Sequence, residues 1–181
     1  MKKILFISGS LRKESFNKQL LEMAAQRLSS DFECTFLDYG NLPLLNQDEE
    51  FPAPAAVQRI RSLVASADAI WIGSPEYNHS YSAALKNLID WLSRPVKPGD
   101  YSSAVGRGKL VAVSSVAGSS GGSFSIAKLV ELMEMLDCTV MTERTMIPLG
   151  SRFGQRNLVM SAEEQQMLVM ECEALKSLLE T

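Results

Sequence analysis

Five short apolar runs alternate with stretches of helical periodicity along this chain, and that alternation restricts the fold more than any other feature. The runs lie at residues 4–8, 33–38, 68–73, 109–114 and 139–142. Apolar residues recur at helical spacing over residues 16–28, 55–67, 82–93 and 124–136, and a last helix starts after Ser161. Strands separated by helices cannot close as hairpins, so the pattern predicts a parallel sheet with helices on both faces. The run at 68–73 is almost wholly apolar, as a strand covered on both faces must be. Ser15 is the expected cap of the first helix, whose inward stripe is Phe16, Leu20, Leu21, Ala24 and Leu28. Val57, Ile60, Leu63 and Val64 form the stripe of the second, and Ser161 with Glu164 stands in capping-box register. Nothing resembles a repeat or a linker, so a single domain over residues 1–181 is expected.

In a doubly wound sheet of order 2-1-3-4-5, the loops after strands one, three and four line one crevice. Here those loops carry the least core-like residues of the chain. The first, residues 8–17, runs from a buried strand into a helix start, where unpaired backbone N–H groups and the helix dipole favour an anion. Ser10, Ser15 and Asn17 add neutral donors, and Arg12 adds a charged fork. The second loop is Ser74-Pro75-Glu76-Tyr77-Asn78-His79-Ser80-Tyr81, and the third begins at Ser115 and ends at Gly122. The first loop holds Gly9 alone among the glycines that a Walker A or dinucleotide fingerprint requires, and Asp38 is a weak candidate for a ribose acid. The terminal phosphate of a mononucleotide suits it better. One charge-assisted bond adds about 1.5–3 kcal/mol, so several must act together. Taken alone, the loop also reads as a helix cap with a surface arginine.

Net charge is −3, with 22% charged residues, which argues against nucleic acid or an acidic membrane surface as a partner. Three cysteines without a C-x-x-C pair suggest neither a disulfide framework nor a zinc site, and a reducing cytoplasmic setting is expected. The apolar stretch after Met1 is too short for a secretory leader, and no run approaches the ~20 residues of a membrane span. His79 is the one histidine, so no histidine-based metal cluster is expected. It reads as a rim residue, with donation of a proton to a substrate as the weaker alternative. Trp71 and Trp91 read as packing residues.

Three stretches together resemble the NADPH-dependent FMN reductase family of flavodoxin-like proteins. They are Gly9-Ser10-Leu11-Arg12 with Ser15 and Asn17, then Ser74-Pro75-Glu76-Tyr77-Asn78, then Leu85-Lys86-Asn87-Leu88-Ile89-Asp90-Trp91. The resemblance runs from residue 3 to about 145. It implies a flavodoxin-like α/β three-layer sandwich with a five-stranded parallel sheet. It also implies FMN, its phosphate on Ser10, Arg12, Ser15 and Asn17. Pro75, Glu76, Tyr77 and Asn78 would line the ring, largely through backbone groups, with Ser115 and Gly118 of the third loop matching less closely. The implied reaction passes hydride from NADPH or NADH through flavin N5 to a small-molecule acceptor: a quinone, free flavin, azo compound or metal oxyanion. A pocket shared by both substrates implies a ping-pong scheme. A homodimer or homotetramer is also implied, with residues 95–108 or Tyr101 of a second subunit as candidates to wall the flavin. Ser82 departs from the proline that the family often has there. A flavodoxin-type electron carrier and a flavin-free interaction protein are the alternatives.

Overall fold

The structure, a computed structural model, describes residues 1–180. Strand β1 (Lys3–Ser8) pairs in parallel with β2 (Glu33–Phe36) on one side and with β3 (Ala69–Gly73) on the other. Strand β4 (Leu110–Ala117) continues the sheet from β3. The far position is shared by β5 (Thr139–Val140), which pairs with the start of β4, and β6 (Met146–Pro148), which pairs with its end. The order is therefore 2-1-3-4-5, that of the doubly wound sheet expected from the sequence, with the fifth strand split in two.

Helices α1 (Phe16–Leu28) and α5 (Ala162–Glu180) cover one face, where Ile4, Phe6, Trp71 and Ala112 meet Leu20, Leu21 and Leu168. Helices α2 (Ala55–Ser66), α3 (Ala83–Ser93) and α4 (Ser123–Met135) cover the other, where Leu5, Ile7, Ile70, Ile72 and Val113 meet Ile60, Leu88 and Leu129. The period-two alternation of strand side chains thus feeds two cores. Ser15, Ser82 and Ser161 cap their helices, and Ser161 and Glu164 exchange both capping-box bonds, at 3.2 and 2.8 Å. On α2 the expected inward Leu63 is exposed. The turn is rotated so that Arg61 lies inside, its guanidinium backed by the Trp91 ring.

The sequence reads β4 as ending at Ser114, but the strand runs on to Ala117 because β6 supplies partners for its last three residues. The gap between β5 and β6 is bridged by backbone and by α5. The Ser115 N–H donates to the Thr145 carbonyl at 2.8 Å, and the Thr145 N–H donates to Glu171 at 2.7 Å. Among the described residues no helix is long and apolar enough to cross a membrane, and no cluster of His, Cys, Asp and Glu could hold a metal.

Candidate active site

Strand β1 delivers the chain into a loop that its neighbours hold from below. The Gly9 N–H donates to the Gly73 carbonyl at 2.8 Å, and the buried Tyr39 hydroxyl donates to the Ser8 carbonyl at 2.7 Å. Only glycine fits at position 9, because a Cβ there would lie 2.9 Å from Pro75 Cδ. Ser82 locks the same loop to α3: its hydroxyl accepts from the Leu85 N–H at 3.1 Å and donates to the Gly9 carbonyl at 2.5 Å. A proline at that position could do neither. The Leu85–Trp91 stretch is structural. Asn87 Nδ2 and Trp91 Nε1 both donate to the Pro43 carbonyl, at 2.9 and 2.8 Å, anchoring the long loop that precedes α2.

At the start of α1 the Ser15 hydroxyl accepts from the Lys18 N–H at 3.3 Å, leaving the N–H groups of Phe16 and Asn17 without intrahelical acceptors. Arg12 lies over the Phe16 ring, 5.9 Å from its centroid. Ser10, Arg12, Ser15, Asn17, Pro75, Glu76, Tyr77 and Gly118 line one open crevice of about 290 Å3 at the C-terminal edge of the sheet. Eight residues singled out from the sequence are thus brought together, drawn from all three loops.

Two of the expected site residues stand elsewhere. Ser115 is fully buried within β4, its hydroxyl donating to the Ser74 carbonyl at 2.7 Å, so it braces the second loop and does not face the crevice. Asn78 does not line the crevice either: it and His79 adopt φ of 51° and 58° in the tight turn from Tyr77 to Ser80. His79 stacks on Phe124 with ring centroids 4.1 Å apart. Asn17 reaches the crevice differently from expectation. Its side-chain amide is clamped on Val116, donating to the carbonyl at 3.0 Å and accepting from the N–H at 2.9 Å. What it offers an anion is its backbone N–H and the second amide hydrogen.

The sequence reading missed one wall. Leu149, Phe153, Gly154 and Gln155 close the crevice from the segment after β6, and Phe153 is 84% exposed. The available signal is an aromatic residue between Gly150 and Gly154 in a polar stretch following a strand, at the same sheet edge as the other loops. The 95–108 loop lies at the opposite edge, since it leads into the first residue of β4 while the crevice sits at the last.

Glu76 lines the crevice, and its carboxylate reaches the start of α4. The carboxylate accepts from the Ser120 hydroxyl at 2.7 Å and from the N–H groups of Phe124 and Ser125, both at 3.0 Å. It caps a helix whose N-cap residue, Gly122, has no side chain to do so. Burial works against ionisation, but the Ser120 hydroxyl and the two N–H groups outweigh it and hold the carboxyl below its ordinary value. A carboxyl lowered on folding adds stability above its unfolded pKa and loses it as pH falls through the folded one. Glu76→Gln should therefore cost about 1 kcal/mol at neutral pH. Its urea midpoint should converge on that of the wild type as pH falls through the lowered folded pKa; a difference that persists in acid would show that the charge is not what matters.

A doubly wound sheet with a helix N-terminus, an arginine and an apolar wall at its C-terminal edge defines a flavodoxin-like mononucleotide-binding protein. Residues 2–151 match the family model described as NADPH-dependent FMN reductase, and the chain belongs to that family. It is 45% identical over 93 residues to a 2-hydroxy-1,4-benzoquinone reductase of Burkholderia sp, the alignment covering 51% of each chain. To an NADPH:quinone oxidoreductase of Arabidopsis thaliana it is 36% identical over 140 residues, covering 75% of this chain and 68% of the other. The match spans about half the length of the first two curated relatives. Among solved structures, the flavoenzyme NAD(P)H:(acceptor) oxidoreductase FerB of Paracoccus denitrificans superimposes with a TM-score of 0.82 at 28% identity, covering 96% of this chain and 94% of that one.

Proposed function

We propose that this chain is an FMN-dependent NAD(P)H oxidoreductase that reduces quinones and related small acceptors. The observation that carries the reading is the single crevice in which an unpaired helix N-terminus and Arg12 stand beside the Pro75–Tyr77 segment. Arg12, Ser10, Ser15 and the N–H groups of Phe16 and Asn17 fit a phosphate, whose charge they answer with several donors at once. Pro75, Tyr77, Gly118 and the Glu76 backbone fit a flat ring with hydrogen-bonding edges. Bound there, FMN supplies the hydride chemistry, accepting from reduced nicotinamide and delivering to the acceptor at N5. The crevice would hold the ring and leave one side of it open. Phe153 offers an apolar platform at that opening, which suits a broad range of quinones. A site used in turn by both substrates gives ping-pong kinetics. A second subunit would complete the open side in a homodimer or homotetramer acting in the cytoplasm.

Mixing the FMN-loaded protein with NADPH in a stopped-flow instrument should bleach the flavin promptly, and a quinone should restore its colour. Slow bleaching despite tight FMN would identify an electron carrier, and a protein that takes up no FMN would remove the reading. Initial-velocity lines should stay parallel; intersecting lines would exclude a shared site. Arg12→Ala should weaken FMN binding by about tenfold or more (roughly 1.4 kcal/mol) with an unchanged melting temperature of the apoprotein. An unaltered dissociation constant would take Arg12 out of the phosphate site.

A further inference from the structure

The α2–α3 side of the sheet carries a second cavity, of about 480 Å3, away from the crevice. Its walls are apolar, from Phe51 and Pro52 before α2 and from Val96 and Val105 of the loop before β4. Phe51 and Val96 stay partly exposed, at 42% and 46%. Arg61 and Glu50, 6% and 5% exposed, are the charged groups at its inner side. Among the described residues the Arg61 guanidinium meets one acceptor, the Trp91 carbonyl at 3.3 Å, and its Nε is buried without a partner. Glu50 is the buried acid nearby, but Arg94 occupies both of its oxygens, Nε on Oε1 and Nη2 on Oε2. Among the described residues this cluster therefore sets two guanidiniums against one carboxylate. A buried cation whose Nε–H has no acceptor calls for one.

We infer that this cavity binds a monocarboxylate with a flat apolar body, the carboxylate on Arg61 and the body between Phe51, Pro52, Val96 and Val105. One unbalanced positive charge matches one negative charge. A phosphate dianion would leave the cluster net negative. A carboxylate answers the guanidinium with two oxygens in the geometry the fork requires. The walls then remove the ligand's apolar surface from water. The site is independent of the flavin crevice, which lies at the other edge of the sheet.

The test is a titration of 15N-labelled, FMN-loaded protein with sodium benzoate. It follows the Arg61 Nε–H cross-peak, assigned by its loss in Arg61→Met. The peak should shift and saturate with a millimolar or tighter dissociation constant. Val96→Trp fills the mouth from an exposed position and leaves the guanidinium in place; it should weaken benzoate about tenfold or more without altering the visible flavin spectrum. A peak that does not move by about 20 mM benzoate, or that titrates identically in Val96→Trp, overturns the inference. So does inorganic phosphate moving the peak with equal or greater affinity.

Discussion

Gly122→Ala should destabilise the protein by about 4 kcal/mol and lower its melting temperature by roughly 10 °C. Gly122 has φ of 91°, left-handed backbone that costs an L-residue about 1–2 kcal/mol. The space is closed as well. A Cβ at this position would lie 1.9 Å from Ser115 Oγ and 2.5 Å from Ser115 Cβ. The hydroxyl could rotate away only by giving up its bond to the Ser74 carbonyl, about 1 kcal/mol. The Cβ cannot move without shifting β4, and such overpacking costs about 1–3 kcal/mol. Gly99→Ala is the comparison: its φ is 75°, but a Cβ there meets nothing within 4 Å, so only the backbone cost applies. Thermal melts that place the two variants within about 1 kcal/mol of each other would show that β4 yields to α4.

Glu171→Gln should remove a pH dependence of stability that the wild type shows between acid and mildly alkaline solution. Glu171 is fully buried under the end of the sheet. It accepts from the Ser114 hydroxyl at 2.9 and 3.0 Å and from the Thr145 N–H at 2.7 Å, and the Ser114 oxygen itself accepts from Trp71 Nε1 at 2.7 Å. Burial pushes the carboxyl up to about 8 against the lowering effect of the Thr145 and Ser114 hydrogen bonds. An unfolded glutamate titrates near 4.3, so between about pH 4.3 and 8 the folded chain keeps a proton that the unfolded chain has released. Stability therefore falls as pH rises across that window. It is greatest below the unfolded value, and the full loss, on the order of 3–5 kcal/mol, is reached above the folded one. The glutamine variant keeps the acceptor and has no proton to lose. Urea melts of the two proteins should agree near pH 4 and diverge towards pH 8, with the variant more stable; parallel curves would refute the assignment. Glu171 also holds Thr145 at the break between β5 and β6.

The sequence alone determined the layered fold and the edge at which it binds. Strand and helix periodicity are local, and a parallel order sends every strand's C-terminal loop to the same side. Ser15 and Ser161 were legible as caps for the same reason: a cap acts within three residues of itself. What tertiary structure alone decided is the direction of the side chains within those loops. Asn17 turns onto Val116, Glu76 onto α4 and Ser115 onto Ser74, because each buried backbone group needed a partner that arrives from a distant part of the chain. The split fifth strand, and with it the Phe153 wall, depends on Glu171 reaching Thr145 across 26 residues of sequence. Spacing records which residues can share a helix or strand; which polar groups find each other is settled only when the layers close and water leaves.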